Sequence, residues 1–117
     1  MRAGEAFSAL AAEIPHEPVE GDDLVAGSPT IGYLDIGRAA DGAEVGVWEI
    51  TPGVVRDVEQ DEVFIVLAGS ATIEFADGRP AIDVAAGSVV RLDAGAGTTW
   101  TVRETLRKIY LLPPSTG

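Results

Sequence analysis

No cysteine occurs in the 117 residues, and there is one histidine, His16. The first absence removes disulfide staples, thiolate nucleophiles and sulfur-ligated zinc together. The second leaves too little imidazole for a Ser–His or Thr–His relay, so covalent hydrolysis by a triad is disfavoured. Positive charge is scarce as well: 8 Lys and Arg against 19 Asp and Glu give a formal net charge of -11. A surface of that sign repels phosphate backbones and anionic lipid, so neither nucleic acid nor a membrane is an expected partner. No run approaches the ~20 apolar residues that a membrane helix needs, and Glu5 and Glu13 interrupt the apolar residues of the opening segment. The expected location is the cytoplasm.

What is present suits a single β domain. Hydrophobic residues make up 46% of the chain, enough for an ordinary core, and 14 glycines with 7 prolines demand many turns between short elements. Strand-like runs recur at short intervals: TIGYLDI, AEVGVWEIT, EVFIVLAG, SATIEFA, AIDVA, SVVRL, TTWTVRE and LRKIYLL. Asp41-Gly42 and Asp77-Gly78 are tight-turn signals, and Gly69-Ser70 and Ala86-Gly87 are read as further turns. None of these connections has room for a crossover helix, so the strands are expected to be antiparallel in a sandwich or barrel. Before them, Phe7, Leu10, Ala11 and Ile14 have helical spacing, which leaves a short amphipathic helix or an irregular arm open; residues 15–29 read as loop. The expected organisation is an arm and loop over 1–27, a barrel over 28–113 and a tail over 114–117. The run VFIVLAG is apolar on both faces, so something must cover it outside the barrel, and a second subunit is the simplest cover.

Two glycine-framed stretches resemble the motifs of the cupin family, over roughly residues 28–113. Glu62 and Gly69 keep the glutamate-to-glycine spacing of the first motif, and Gly87 and Gly95 the glycine spacing of the second, with Asp93 where the second usually has proline. The resemblance implies an all-β, double-stranded β-helix or jelly-roll barrel. It also places Arg56 and Val58 at the first motif's two histidine positions, Glu62 at its glutamate and Thr98 at the second motif's histidine. Valine has no donor atom, arginine stays protonated, and one carboxylate with one hydroxyl falls short of the donor set a catalytic metal needs, so no metal and no other cofactor is expected. Trp48, Glu49, Pro52, Gly53, Gly97, Trp100, Arg107 and Lys108 extend the likeness to the ureidoglycine-aminohydrolase-like and ethanolamine-utilisation branch of the family.

Alternation puts Glu62 on one strand face with Phe64 and Val66, and Lys108 on one face with Leu106, Tyr110 and Leu112. An acid and an ammonium among such neighbours are obvious partners for each other, either as a structural ion pair or as two anchors for a ligand. That pairing speaks against Schiff-base chemistry at Lys108. Trp48 and Trp100 are candidate pocket walls as well as candidate core residues, and the same holds for Tyr110 and Tyr33. Asp57, Glu59 and Asp61 fall on the face opposite Glu62 if the strand is regular there, which makes them a solvated rim. The alternative is a bulge that gathers two of them with Glu62 into an all-oxygen site for calcium or manganese. His16 reads as a surface residue.

Three readings of function follow. The leading one is a metal-free, homodimeric cupin that binds a small polar metabolite inside the barrel, with Glu62 and Lys108 as anchors and Trp48, Trp100 and Tyr110 lining the site. The second is a metabolic enzyme, an aminohydrolase, isomerase or epimerase, with Glu62 as acid or base. The third is an accessory protein whose barrel only packs.

Overall fold

In the computed structural model, which describes residues 1–114, the alternating runs form one curled antiparallel sheet. Its strands are β1 (Glu17–Pro18), β2 (Leu24–Ala26), β3 (Thr30–Arg38), β4 (Glu44–Ile50), β5 (Gly53–Val58), β6 (Glu62–Phe75), β7 (Ile82–Ala85), β8 (Val89–Leu92) and β9 (Gly97–Leu112). β9 is the spine. One edge of it pairs with β4 through Leu106–Leu112 and with β5 through Gly97–Val102, while its other edge pairs with β6 along most of its length. β3 and β1 extend the sheet beyond β4, β2 lies beyond β5, and β7 and β8 lie beyond β6.

The antiparallel β architecture agrees with the sequence, and four local expectations are corrected. Gly69-Ser70 is not a turn: the chain passes straight from EVFIVLAG into SATIEFA as one kinked strand, with register shifts on either side of Ala68 and Ser70. Gly69 has φ +89, and a Cβ there would lie 2.1 Å from the Thr105 carbonyl oxygen, so glycine is needed for the kink and for the close approach of β9. TTWTVRE and LRKIYLL likewise fuse into β9. GVVRDV, absent from the strand-like runs read in the sequence, forms β5, and the loop over 15–29 contains the two short strands β1 and β2 and one 3-10 turn at Gly21–Asp23. The opening segment is an arm: no α-helix forms among the described residues. The other expected turns are present, with Gly42 at φ +90, Gly78 at +88 and Gly87 at +93. The tail residues 115–117 lie outside the described residues.

Inward faces of the strands build the core. Ile50, Phe64, Val66, Ala71, Ile73, Leu92, Trp100, Val102 and Leu106 are almost completely buried together. The kink at Gly69 changes phase, so even-numbered Phe64 and Val66 point inward before it and odd-numbered Ala71 and Ile73 after it. No helix is long and apolar enough to cross a membrane.

The arm is strapped across the outer surface of β3, β4 and β9. Arg107 donates from Nη1 to the carbonyls of Ala9, Leu10 and Ala12 at 2.7–3.1 Å and from Nε to Glu49 at 2.6 Å. His16 bridges Thr30 and Glu49, both at 2.9 Å, so it is a partly buried, hydrogen-bonded member of this strap and not a free surface residue. Gly32 lets the arm lie against the sheet, since a Cβ would meet the Pro15 carbonyl oxygen at 2.1 Å. Burial alone would raise the Glu49 carboxyl, but Arg107 and His16 outweigh it and hold the acid below its usual range. Arg107→Met should cost about 2–3 kcal/mol, because it removes charge-assisted bonds from a largely buried carboxylate. Limited proteolysis is the check: the variant should lose its arm early while the barrel persists, and an unchanged digestion pattern would refute the strap.

Candidate functional site

The curled sheet encloses a cavity of about 650 Å3, with Trp48, Trp100, Tyr110, Glu59, Glu62 and Lys108 among its lining residues. All but Glu59 arrive there by strand parity. β4 contributes Trp48, β6 begins on Glu62, and β9 presents Trp100, Lys108 and Tyr110 at even positions. Trp48 pairs across the ladder with Lys108, and Val55 with Trp100, so the two tryptophans meet at 5.7 Å between ring centroids, tilted by 58°.

Lys108 is 5% exposed and donates from Nζ to Glu62 Oε1 at 2.8 Å. Its ammonium also lies 4.1 Å from the ring centre of Phe64, 4.6 Å from that of Trp48 and 5.1 Å from that of Trp100. Three aromatic faces and one carboxylate thus replace the water that the cation has lost. Tyr110 donates its hydroxyl to Glu44 at 3.0 Å, and burial followed by that acidic neighbour pushes the phenol well above its usual range, so it remains a neutral donor. Tyr33 lines the mouth and is 65% exposed.

The acids of β5 are placed differently from the expectation. Val55 faces inward opposite Trp100, and Asp57 follows it on the same face opposite Thr98. Arg56 and Val58, laid on the two histidine positions by the motif, occupy the other parity, and Val58 is 70% exposed. Beyond β5 the chain is pinned by bonds from the Glu59 amide to Ala96 and from the Gly95 amide to Glu59, which turn the Glu59 side chain into the barrel. It is 6% exposed, and its Oε1 accepts from Thr98 Oγ1 at 2.7 Å and from Trp100 Nε1 at 3.2 Å. Glu59 is therefore not part of a solvated rim: the break between β5 and β6 cancels the parity that put it opposite Glu62. Asp57 and Asp61 remain exposed, Asp57 beside the cavity and Asp61 accepting from the Ala94 amide at 2.9 Å.

Burial pushes the Glu59 carboxyl above its ordinary 4.5, partly offset by Thr98 and Trp100 and reinforced by the charge of Asp57. Asp57 is raised from 3.8 by the loss of water on its cavity side, although the residue as a whole remains exposed. A carboxyl whose folded value is raised holds its proton more tightly when folded, so it contributes stability at low pH that is lost as pH rises from the unfolded value through the folded one. Glu49, lowered, contributes in the opposite direction. Glu59→Gln should therefore gain on the wild type as pH rises above about 4.5, the ordinary glutamate value. Urea melts across pH 4–8 are the check; a constant difference between the two proteins would exclude a raised Glu59.

The donor set does not suit a transition ion. The inward positions hold Asp57, Glu59, Glu62 and Thr98 with no imidazole, and the Lys108 ammonium occupies the place beside Glu62. Among the described residues no three metal-ligating side chains converge, so the all-oxygen calcium or manganese site is not formed either.

A single curled antiparallel sheet built on two long paired strands, β6 and β9, around a cavity defines a β-barrel of the cupin class. The chain belongs to the family of EutQ-like cupin domains, whose model matches residues 38–110. No curated protein matches it. Solved structures resemble it in fold: the Clostridium difficile EutQ protein, at 21% identity over 86% of this chain and 82% of that one, has a TM-score of 0.62. A DUF861-family protein of unknown function from Pseudomonas syringae, at 20% identity over 86% of this chain and 44% of that one, has 0.68. A cupin-2 domain protein from Shewanella frigidimarina, at 24% identity over 69% and 78%, has 0.56.

Proposed function

We propose that this protein binds a small polar metabolite in its barrel without a metal, with Glu62 and Lys108 as polar anchors and Trp48, Trp100 and Tyr110 as walls. The observation that carries this reading is the cavity itself. Its volume is of the size that holds a metabolite, and a small number of convergent polar groups stand among aromatic faces. Melting curves against a metabolite library test it: a ligand-induced rise that Trp48→Ala abolishes supports the site, and a library without effect speaks for a barrel that only packs. Stoichiometric manganese, nickel, iron or zinc in the purified protein would refute the metal-free part.

An enzyme of the ureidoglycine-aminohydrolase-like branch is the second reading. What favours it is the pair of unlike carboxyls lining the same cavity, Glu62 tied to an ammonium and Glu59 held only by neutral donors, an arrangement suited to separate base and acid roles. The homodimer belongs to the proposal as well. Val63, Ile65 and Leu67 on the outer face of β6 are partly exposed, an apolar strip that the arm leaves uncovered. Sedimentation as a monomer would refute it.

A further inference from the structure

The cavity wall formed by β5 carries more negative charge than the protein itself balances. Lys108 is neutralised by Glu62 at 2.8 Å, and neither Asp57 nor Glu59 has an ion-pair partner among the described residues. The charged groups that line the cavity with Glu59 are Glu44 of β4, Arg56 and Asp57 of β5, Glu62 of β6, Lys108 of β9, and Glu20 and Asp23 just before β2. Acids outnumber bases among them. One oxygen of Glu59 is fully engaged by Thr98 and Trp100, whereas Oε2 has no hydrogen-bond partner among the described residues. Among the described residues no side-chain atom is both sealed off and unsatisfied, so Oε2 opens onto the cavity that Glu59 lines.

Resting on the reading of the barrel as a ligand site, we infer that its ligand is a small organic cation: a protonated amine whose ammonium is received by Glu59 Oε2 with Asp57 beside it, and whose carbon frame lies against Trp48 and Trp100. An ammonium offers three donors where an acceptor is free, and it supplies the charge this wall lacks. Aromatic faces at the same place suit a cation better than an anion, because their negative quadrupole attracts the first and repels the second. A carboxylate ligand would have only Lys108 to meet it, and that ammonium is already paired and surrounded by rings. Binding also fixes the protonation state of the wall. The bound amine favours ionised Glu59 and Asp57, so affinity should rise with pH as these acids release their protons, up to the point where the free amine loses its own.

Benzylamine, benzyl alcohol and benzoate form a size-matched series of positive, neutral and negative probes. Titration calorimetry with the full chain should rank the amine first, with affinity increasing with pH above the ordinary carboxylate range. Glu59→Gln, which keeps an acceptor for Thr98 and Trp100, should weaken the amine about 10- to 100-fold and remove most of the pH dependence. Benzyl alcohol or benzoate binding more tightly than the amine would overturn the charge assignment and leave the barrel standing as a ligand site. No binding by any of the three would overturn the assignment too, while a hit from the metabolite library would still preserve the site. An amine that binds equally to wild type and Glu59→Gln would place the ammonium elsewhere and refute the role of Glu59.

Discussion

Lys108→Met is expected to lower stability by about 3–5 kcal/mol, a drop in melting temperature of roughly 10–20 °C for a chain of this size. The cost arises from what is left behind. Glu62 loses the ammonium at 2.8 Å while its side chain stays 10% exposed, and a carboxylate kept from water with no cation to answer it is far worse than no charge at all. Three aromatic faces lose their cation at the same time. The double variant Glu62→Gln, Lys108→Met removes both charges and should recover most of the loss, since a buried pair contributes little beyond a well-packed neutral substitute. Thermal melts of the three proteins decide the matter. A double variant as unstable as Lys108→Met alone would mean that the lysine acts through its packing against the tryptophans, with the ion pair incidental.

Gly69→Ala should be the most damaging of the glycine substitutions, at about 3 kcal/mol or more. Two costs add: a left-handed backbone that side chains resist, and a methyl group placed against fixed backbone, 2.1 Å from the Thr105 oxygen and 2.6 Å from the Leu106 Cα. Gly78→Ala isolates the first cost, because its φ of +88 is nearly the same and nothing lies within 4 Å of the added methyl. It should lose only about 1–2 kcal/mol. Denaturant melts of the pair measure the difference, and equal losses would show that β9 can retreat from the kink.

Much of the fold is legible in the sequence because strands with one buried face write that face into alternate residues. SATIEFA and LRKIYLL are examples, with Ala71 and Ile73, or Leu106 and Tyr110, pointing to the core. Glycine misleads where its two uses coincide. At Asp41-Gly42 and Asp77-Gly78 a positive φ reverses the chain, whereas at Gly69 a similar φ only kinks it, and no local pattern separates the two. β5 was hidden by its charges, although the β-branched Val54, Val55 and Val58 carry a strand signal. The shared face of Glu62, Phe64 and Val66, and that of Lys108 and Tyr110, follows from parity inside single strands. Glu59 does not, because the step from β5 to β6 is irregular and its side chain is aimed by backbone bonds to Gly95 and Ala96, residues far away in the chain. Thr98 and Trp100, which hold its carboxyl, share a strand with Lys108, but only the folded sheet brings them to Glu59.

With β9 seated between β6 on one edge and β4 and β5 on the other, the order of events in folding is constrained. β4, β5 and β6 are all synthesised before the strand they must all hydrogen-bond to, and every one of these pairings spans a large stretch of chain. Nucleation must wait for the closing of several long loops at once, which makes for slow, highly cooperative folding and leaves the nascent sheet edges open to chaperones or to one another. The slowest-exchanging amides should therefore gather along β6 and β9, opening only when the whole molecule does.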